Sequence, residues 1–146
     1  MNEILTEMDE ELKAKKAKVM VDKLPRLFVN PSLIKPLFQN LIGNALKYSK
    51  KDTEPLVKIT SDITVPINGK SKDNTRYCRI FVEDNGIGRN AANVINALKN
   101  KSHESFATNA MQERIQMINA NGISCATLKI EDLEKGTRII ITIQTN

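Results

Sequence analysis

The sequence predicts an α+β fold: a two-layer α/β sandwich in which a mixed, mostly antiparallel sheet of about five strands is covered by three main helices. Three observations predict it. Short runs rich in β-branched residues, at Lys18–Asp22, Leu56–Val65, Tyr77–Glu83, Ile123–Asp132 and Thr137–Gln144, are separated by turn signals such as Leu24-Pro25, Asn68-Gly69 and the Leu-Glu-Lys-Gly run ending at Gly136. Between them, residues 2–15, the stretch around Leu37–Ser49 and the stretch Phe106–Asn119 carry apolar residues at helical spacing. Finally, 146 residues of which 40% are hydrophobic suffice to bury one core.

Taken in order, residues 2–15 place Ile4, Leu5, Met8 and Leu12 on one side of a short amphipathic helix. Lys18–Asp22 is a strand that Leu24-Pro25 ends. Asn30 and Pro31 suit the N-cap and first position of the central helix, and Pro36 should kink or tighten its start. In that helix Ile34, Leu37, Phe38, Leu41 and Ala45 form an apolar stripe. Leu56–Val65 places Val57, Ile59, Ile63 and Val65 on one strand face, and residues 67–76 form a polar loop. In the next strand Cys78, Ile80 and Val82 share a face that Asp84 continues. Residues 89–104 are polar and poor in anchors, with a short helix at Ala91–Leu98 and an otherwise irregular course. The helix from Phe106 to Asn119 turns Ala107, Met111, Ile115 and Ile118 inward and ends at Asn121-Gly122. The last two strands close as a hairpin with Thr137, Ile139, Ile141 and Ile143 inward.

The net charge of +5 and a pI near 9.2 suit an anionic ligand. Lys and Arg are spread along the chain, and two tyrosines and four phenylalanines make no stacking platform, so nucleic acid is not expected as a partner. No apolar run reaches membrane-spanning length, and no direct membrane contact is expected. Cys78 and Cys125 lack partner spacing and read as buried free thiols of a cytoplasmic protein.

Three stretches carry the chemistry. Asn40, Asn44 and Lys47 share a helix stripe about 60° wide, beside the apolar one. Amide oxygens are neutral hard ligands suited to Mg²⁺, and an ammonium is a point charge suited to phosphate. A solvated face with leftover capping residues explains this stripe equally well. Asp84-Asn85-Gly86-Ile87-Gly88 follows a hydrophobic strand, so an acid is aimed along a buried face and needs a donor. Asp-Asn-Gly is also ordinary turn chemistry. Gly136-Thr137 opens the last strand, again as good turn-to-strand chemistry by itself.

Together, Asn40-x-x-x-Asn44-Ala-x-Lys47-Tyr48-Ser49, the Asp84–Gly88 motif and the terminal Gly136-Thr137 resemble the ATP-binding domain of bacterial sensor histidine kinases, whose Bergerat-type fold is shared with gyrase-type ATPases. The resemblance covers nearly the whole chain. It implies an ATP and Mg²⁺ site in which Asn40 and Asn44 hold the metal and its hydration shell and Lys47 meets the phosphates. Tyr48 would flank the base or ribose, and Asp84 would accept a hydrogen bond from the exocyclic amine of adenine with Thr137 beside it. Gly86 and Gly88 would admit the nucleotide, and residues 89–104 would be the lid. It further implies protein-histidine kinase activity toward a histidine on a separate dimerisation and phosphoacceptor domain, with a response regulator downstream. Residues 1–15 then correspond to the link from that missing domain, and 16–146 to the catalytic domain.

Two departures qualify the pattern. At the second glycine box, Ser105, Ala107 and Ala110 take the glycine positions, which leaves room for phosphate but less freedom for positive φ. The lid also lacks a Phe-rich segment, and its Gln-Glu-Arg-Ile helix is similar to that of other subfamilies. His103, the one histidine, copies a phosphoacceptor only superficially, since it follows the glycine motif and no proline comes after the acid. It reads as an exposed lid residue. The rival readings are a hydrolytic ATPase, a serine kinase acting on an anti-sigma partner, and a non-catalytic nucleotide-binding module. The first needs a general base where Asn40 stands.

Overall fold

A computed structural model of the chain describes residues 1–64, 76–98, 106–122 and 125–145. The elements are α1 (Asn2–Glu7), α2 (Asp9–Ala14), β1 (Lys18–Val21), α3 (Pro31–Lys47), β2 (Leu56–Thr64), β3 (Arg76–Asp84), α4 (Gly88–Leu98), α5 (Phe106–Ala120), β4 (Ala126–Asp132) and β5 (Thr137–Thr145). The five strands form one sheet in the order β1-β2-β3-β5-β4. β1 runs parallel to β2, and the other pairs are antiparallel. The expected mixed, mostly antiparallel sheet with helices on one face is what forms.

Strand parity sets the two faces. Val57 and Ile59, Cys78, Ile80 and Val82, Ala126, and Ile139, Ile141 and Ile143 are buried beneath the helices. Against them α3 turns Leu37, Phe38, Leu41, Ile42, Ala45 and Leu46, and α5 turns Met111, Ile115 and Ile118. The opposite face carries alternating charge. Arg138 reaches Glu83 at 2.7 Å and Glu131 at 3.5 Å, and Arg79 forks onto Asp62 while lying over the Phe81 ring. Such a face is satisfied by itself in water, which leaves the helix side to hold a site.

The start of α3 is as expected: Asn30 caps it, its side chain accepting from the Ser32 amide at 3.0 Å, and Pro31 opens it. The helix continues through Pro36 over 17 residues.

Several expectations are corrected. Residues 2–15 form two helices, broken at Met8 (φ −96°, ψ 5°), instead of one. The break lets Ile4 and Met8 both enter the core while Lys35 of α3 binds Glu3 and Glu7, and Gln39 binds Glu7 at 2.8 Å. Ile63 has the inward parity but is 58% exposed, because β1 pairs no further than Ile59 and leaves that edge of β2 open, while β3 still pairs with it on the other side. Cys125 is exposed just before β4, and only Cys78 is buried. Val65, most of the 67–76 loop and the start of the Ile123–Asp132 run lie outside the described residues.

Ile141 sits on a central strand with no exposure, so Ile141→Ala should lower unfolding free energy by about 2–5 kcal/mol. Phe28, 84% exposed, should tolerate the same change within about 0.5 kcal/mol. Denaturant titration of both variants checks the assignment of core and surface.

Candidate nucleotide-binding site

The site is built where the end of α3 meets the turn after β3. Asn40 and Asn44 are half-buried and stand one helical turn apart. Among the described residues neither carboxamide makes a side-chain hydrogen bond. Lys47 is exposed and its ammonium lies 5.1 Å from the centre of the Tyr48 ring. Tyr48 ends the helix, its amide donating to the Asn44 carbonyl at 3.0 Å. Its own carbonyl accepts from the Ile87 amide at 3.0 Å, which ties α3 to the Asp84–Gly88 turn.

Asp84 continues the buried face of β3, as its parity requires. Its Oδ1 accepts from the Gly86 amide at 2.8 Å, and the Thr137 backbone nearby also favours the charged form. Burial nevertheless pushes the Asp84 carboxyl above the usual carboxylate range, outweighing both influences. Thr137 is directly opposite Asp84 in the β3–β5 register. Two glycines make the close approach achievable. A Cβ on Gly86 would stand 2.6 Å from the Tyr48 carbonyl oxygen, and one on Gly136 would stand 1.8 Å from the Asp84 carbonyl oxygen. Gly136 also has φ +95°.

Asn85 points the other way. Its Oδ1 accepts from the Leu56 amide at 2.9 Å and its Nδ2 donates to the Glu54 carbonyl at 3.1 Å, clipping the turn to the start of β2. In the Asp-Asn-Gly sequence each residue thus has a separate task, and the turn chemistry and the buried acid coexist.

The short helix expected at Ala91–Leu98 forms, and it begins three residues earlier, at Gly88, φ +80°. The helix is tied at both ends. Arg89 donates to both oxygens of Asp132 at 2.7 Å, and Asn96 donates to the Tyr48 hydroxyl at 3.2 Å. Its buried side is Ala92, and Val94, Ile95 and Leu98 face outward. Ser105 and His103 lie outside the described residues, as does the side chain of Ala107; Ala110 is half-buried on α5. The structure gathers Tyr48, Asp84, Gly86, Gly88 and Thr137 at one junction, with Lys47, Asn44 and Asn40 set back along α3. Sequence reasoning did not single out the contacts of Asn85, Arg89, Asn96 and Asp132 or the close packing of Gly136.

Among the described residues no cluster of three His, Cys, Asp or Glu side chains suits a metal ion, and no helix is long and apolar enough to cross a membrane. Asn40 and Asn44 thus present amide oxygens with no hydrogen-bond partner among the described residues, a neutral hard donor type that a hydrated divalent cation accepts.

The sequence profile of the histidine kinase-, DNA gyrase B- and HSP90-like ATPases matches residues 29–146. The chain belongs to that ATPase family. No curated protein matches it in sequence. Among solved structures it is similar to the catalytic domain of histidine kinase ThkA, with TM-score 0.67 and 18% identity, over 99% of this chain and 88% of that one. It is similar to the mycobacterial sensor histidine kinase MprB, with TM-score 0.66 and 14% identity, over 100% and 95%. ThkA in complex with the response regulator protein TrrA is matched with TM-score 0.66 and 16% identity, over 99% and 39%. These likenesses establish that the ATPase domain has the fold of histidine kinase catalytic domains.

Because the Asp84 carboxyl is raised in the folded state, it contributes stability that is complete below the unfolded value, about 3.9, and lost as pH rises through the raised value. Above that raised value the ligand-free domain carries a half-buried charge that Asp84→Asn removes. The variant should melt at or above the parent temperature at pH 7, and the parent should gain relative to it as pH falls toward 4. Thermal melts of both proteins across that range check the sign.

Proposed function

We propose that this domain binds Mg-ATP and presents its γ-phosphate to a histidine on the separate dimerisation and phosphoacceptor domain of a sensor histidine kinase, in the cytoplasm. The observation that carries the reading is the arrangement along α3: Asn40, Asn44 and Tyr48 at one-turn intervals, about 6 Å each, leading to Asp84. Adenine at Asp84 then directs the phosphates along α3 toward Lys47, Asn44 and Asn40. The carboxylate accepts from the exocyclic amine of adenine, with Thr137 beside it. Gly86 and Gly88 let the backbone approach the nucleotide, and Tyr48 flanks the base or ribose.

Asn44 and Asn40 would hold Mg²⁺, which supplies charge neutralisation at the phosphates. Lys47 adds a point charge there, and its place over the Tyr48 ring keeps it near the base end of the helix. The chain's own contribution is positioning, because the nucleophile belongs to another domain. Ser105 precedes α5 in the sequence and Ala107 lies in its first turn, whose amides can meet phosphate despite the missing glycines.

Residues 1–15 serve as the link to the dimerisation region, docked on α3 through Ile4, Met8, Glu3 and Glu7. A response regulator is the downstream partner, and neither nucleic acid nor a bilayer is a partner of this domain. Hydrolysis of ATP in its own right is disfavoured, since a carboxamide at Asn40 cannot take a proton from water.

Calorimetric titration with ATP and GTP in the presence of Mg²⁺ tests the reading. ATP should bind in the micromolar to millimolar range, about −8 to −4 kcal/mol, and GTP more weakly. Asp84→Asn should cost about 1–3 kcal/mol in ATP affinity. Equal affinity for the two nucleotides would refute the assignment of Asp84. Incubated alone with γ-labelled ATP, the chain should stay unlabelled, His103 included. Acid-labile label on it would show that the nucleophile is internal.

A further inference from the structure

Arg89 follows directly on the glycine turn and makes a two-pronged contact with Asp132: Nε to Oδ1 and Nη2 to Oδ2, each at 2.7 Å. Asp132 ends β4 and is the register partner of Thr137, which is itself opposite Asp84. Between Asp132 and Thr137 the chain turns at Gly136, whose carbonyl accepts from the Leu133 amide at 3.2 Å. That turn rests on Asp84, since a Cβ at Gly136 would fall 1.8 Å from the Asp84 carbonyl oxygen. Gly88 closes the other side, its own Cβ position lying 3.8 Å from the Gly136 carbonyl oxygen. The Asp84–Gly88 turn, Arg89, Asp132 and the β4–β5 turn therefore form a closed loop of contacts around one carboxylate.

The neighbouring charges are engaged elsewhere. Glu131 pairs with Lys129 and Arg138 on the outward face of the sheet, so among the described residues Arg89 is the ion-pair partner of Asp132. The pair holds the Asp132 carboxyl below the usual carboxylate range and Arg89 above its ordinary value. It therefore persists at neutral pH.

We propose that Arg89, acting through Asp132, is a positioning residue for base recognition: it holds the β4–β5 turn, with Gly136 and Thr137, against Asp84. The role rests on the reading of Asp84 as the group that binds the base. Arg89 itself touches no part of the nucleotide in this scheme.

The test is calorimetry with ADP and Mg²⁺ on the whole chain and on Arg89→Gln, Asp132→Asn, their double variant and the charge-reversed pair Arg89→Asp with Asp132→Arg. Melting temperatures confirm that each is folded at the temperature of titration. Each single change should weaken ADP about threefold to tenfold, as expected for a partly exposed bidentate pair. The double variant should be no weaker than either single one, and charge reversal should recover most of the loss. If Asp132→Asn binds like the parent while Arg89→Gln does not, Arg89 meets the phosphates directly and the positioning role is overturned. Parent-like binding by both single variants, or no recovery on reversal, overturns it as well. A parent that binds no adenine nucleotide overturns the reading of the site and this role with it.

Discussion

The carboxylate of Asp84 sits at the end of a strand whose other inward residues, Cys78, Ile80 and Val82, are buried. A charge at such a place must be met by donors, and here the Gly86 amide supplies one, with the Thr137 backbone directly opposite in the register. Much of the local structure follows from bringing these backbone segments in. Gly86 and Gly136 have to lack side chains, because any Cβ would strike the Tyr48 or Asp84 carbonyl oxygen. The end of α3 has to lie against the turn, and its carbonyl at Tyr48 takes the Ile87 amide. Even so, the donors do not fully offset burial, so the carboxyl stays above its ordinary value. An incompletely compensated carboxylate is suited to a ligand that brings a further donor.

The large-scale fold was legible because it rests on periodicity. Period-two alternation at Cys78, Ile80 and Val82 and at Ile139, Ile141 and Ile143, and helical spacing at Leu37, Leu41 and Ala45, each gave the correct inward face. Ile63 shows the limit of the method. Parity says which way a side chain points, but whether anything covers it depends on where the neighbouring strand stops. Cys125 fails for a related reason, lying just outside its strand. The break at Met8 is invisible to a pattern that both a single helix and two short ones satisfy.

At the site, side-chain chemistry on α3 and at Asp84 could be recognised because unusual polar groups border apolar stripes. The supporting contacts could not. Arg89 with Asp132 and Asn96 with Tyr48 join residues more than forty positions apart, and each member is an unremarkable polar residue in its own segment. Gly136 looked like a turn glycine, which it is; the contact with Asp84 adds a constraint that φ alone does not reveal. The helix at 91–98 was legible, but what holds it was not, because its apolar anchoring is sparse. Polar ties at both ends take its place, and Val94, Ile95 and Leu98 are left facing outward.

The central claim is that the proposed base pocket is assembled before any nucleotide arrives, with the Gly86 amide donating to Asp84. Amide hydrogen exchange in the ligand-free domain tests it most directly. The account predicts slow exchange at Gly86, and loss of that protection in an Asp84→Ala variant that remains folded, because the aspartate side chain is its acceptor. Gly86 exchanging as fast as an open loop in the parent, or as slowly in the variant as in the parent, would contradict it.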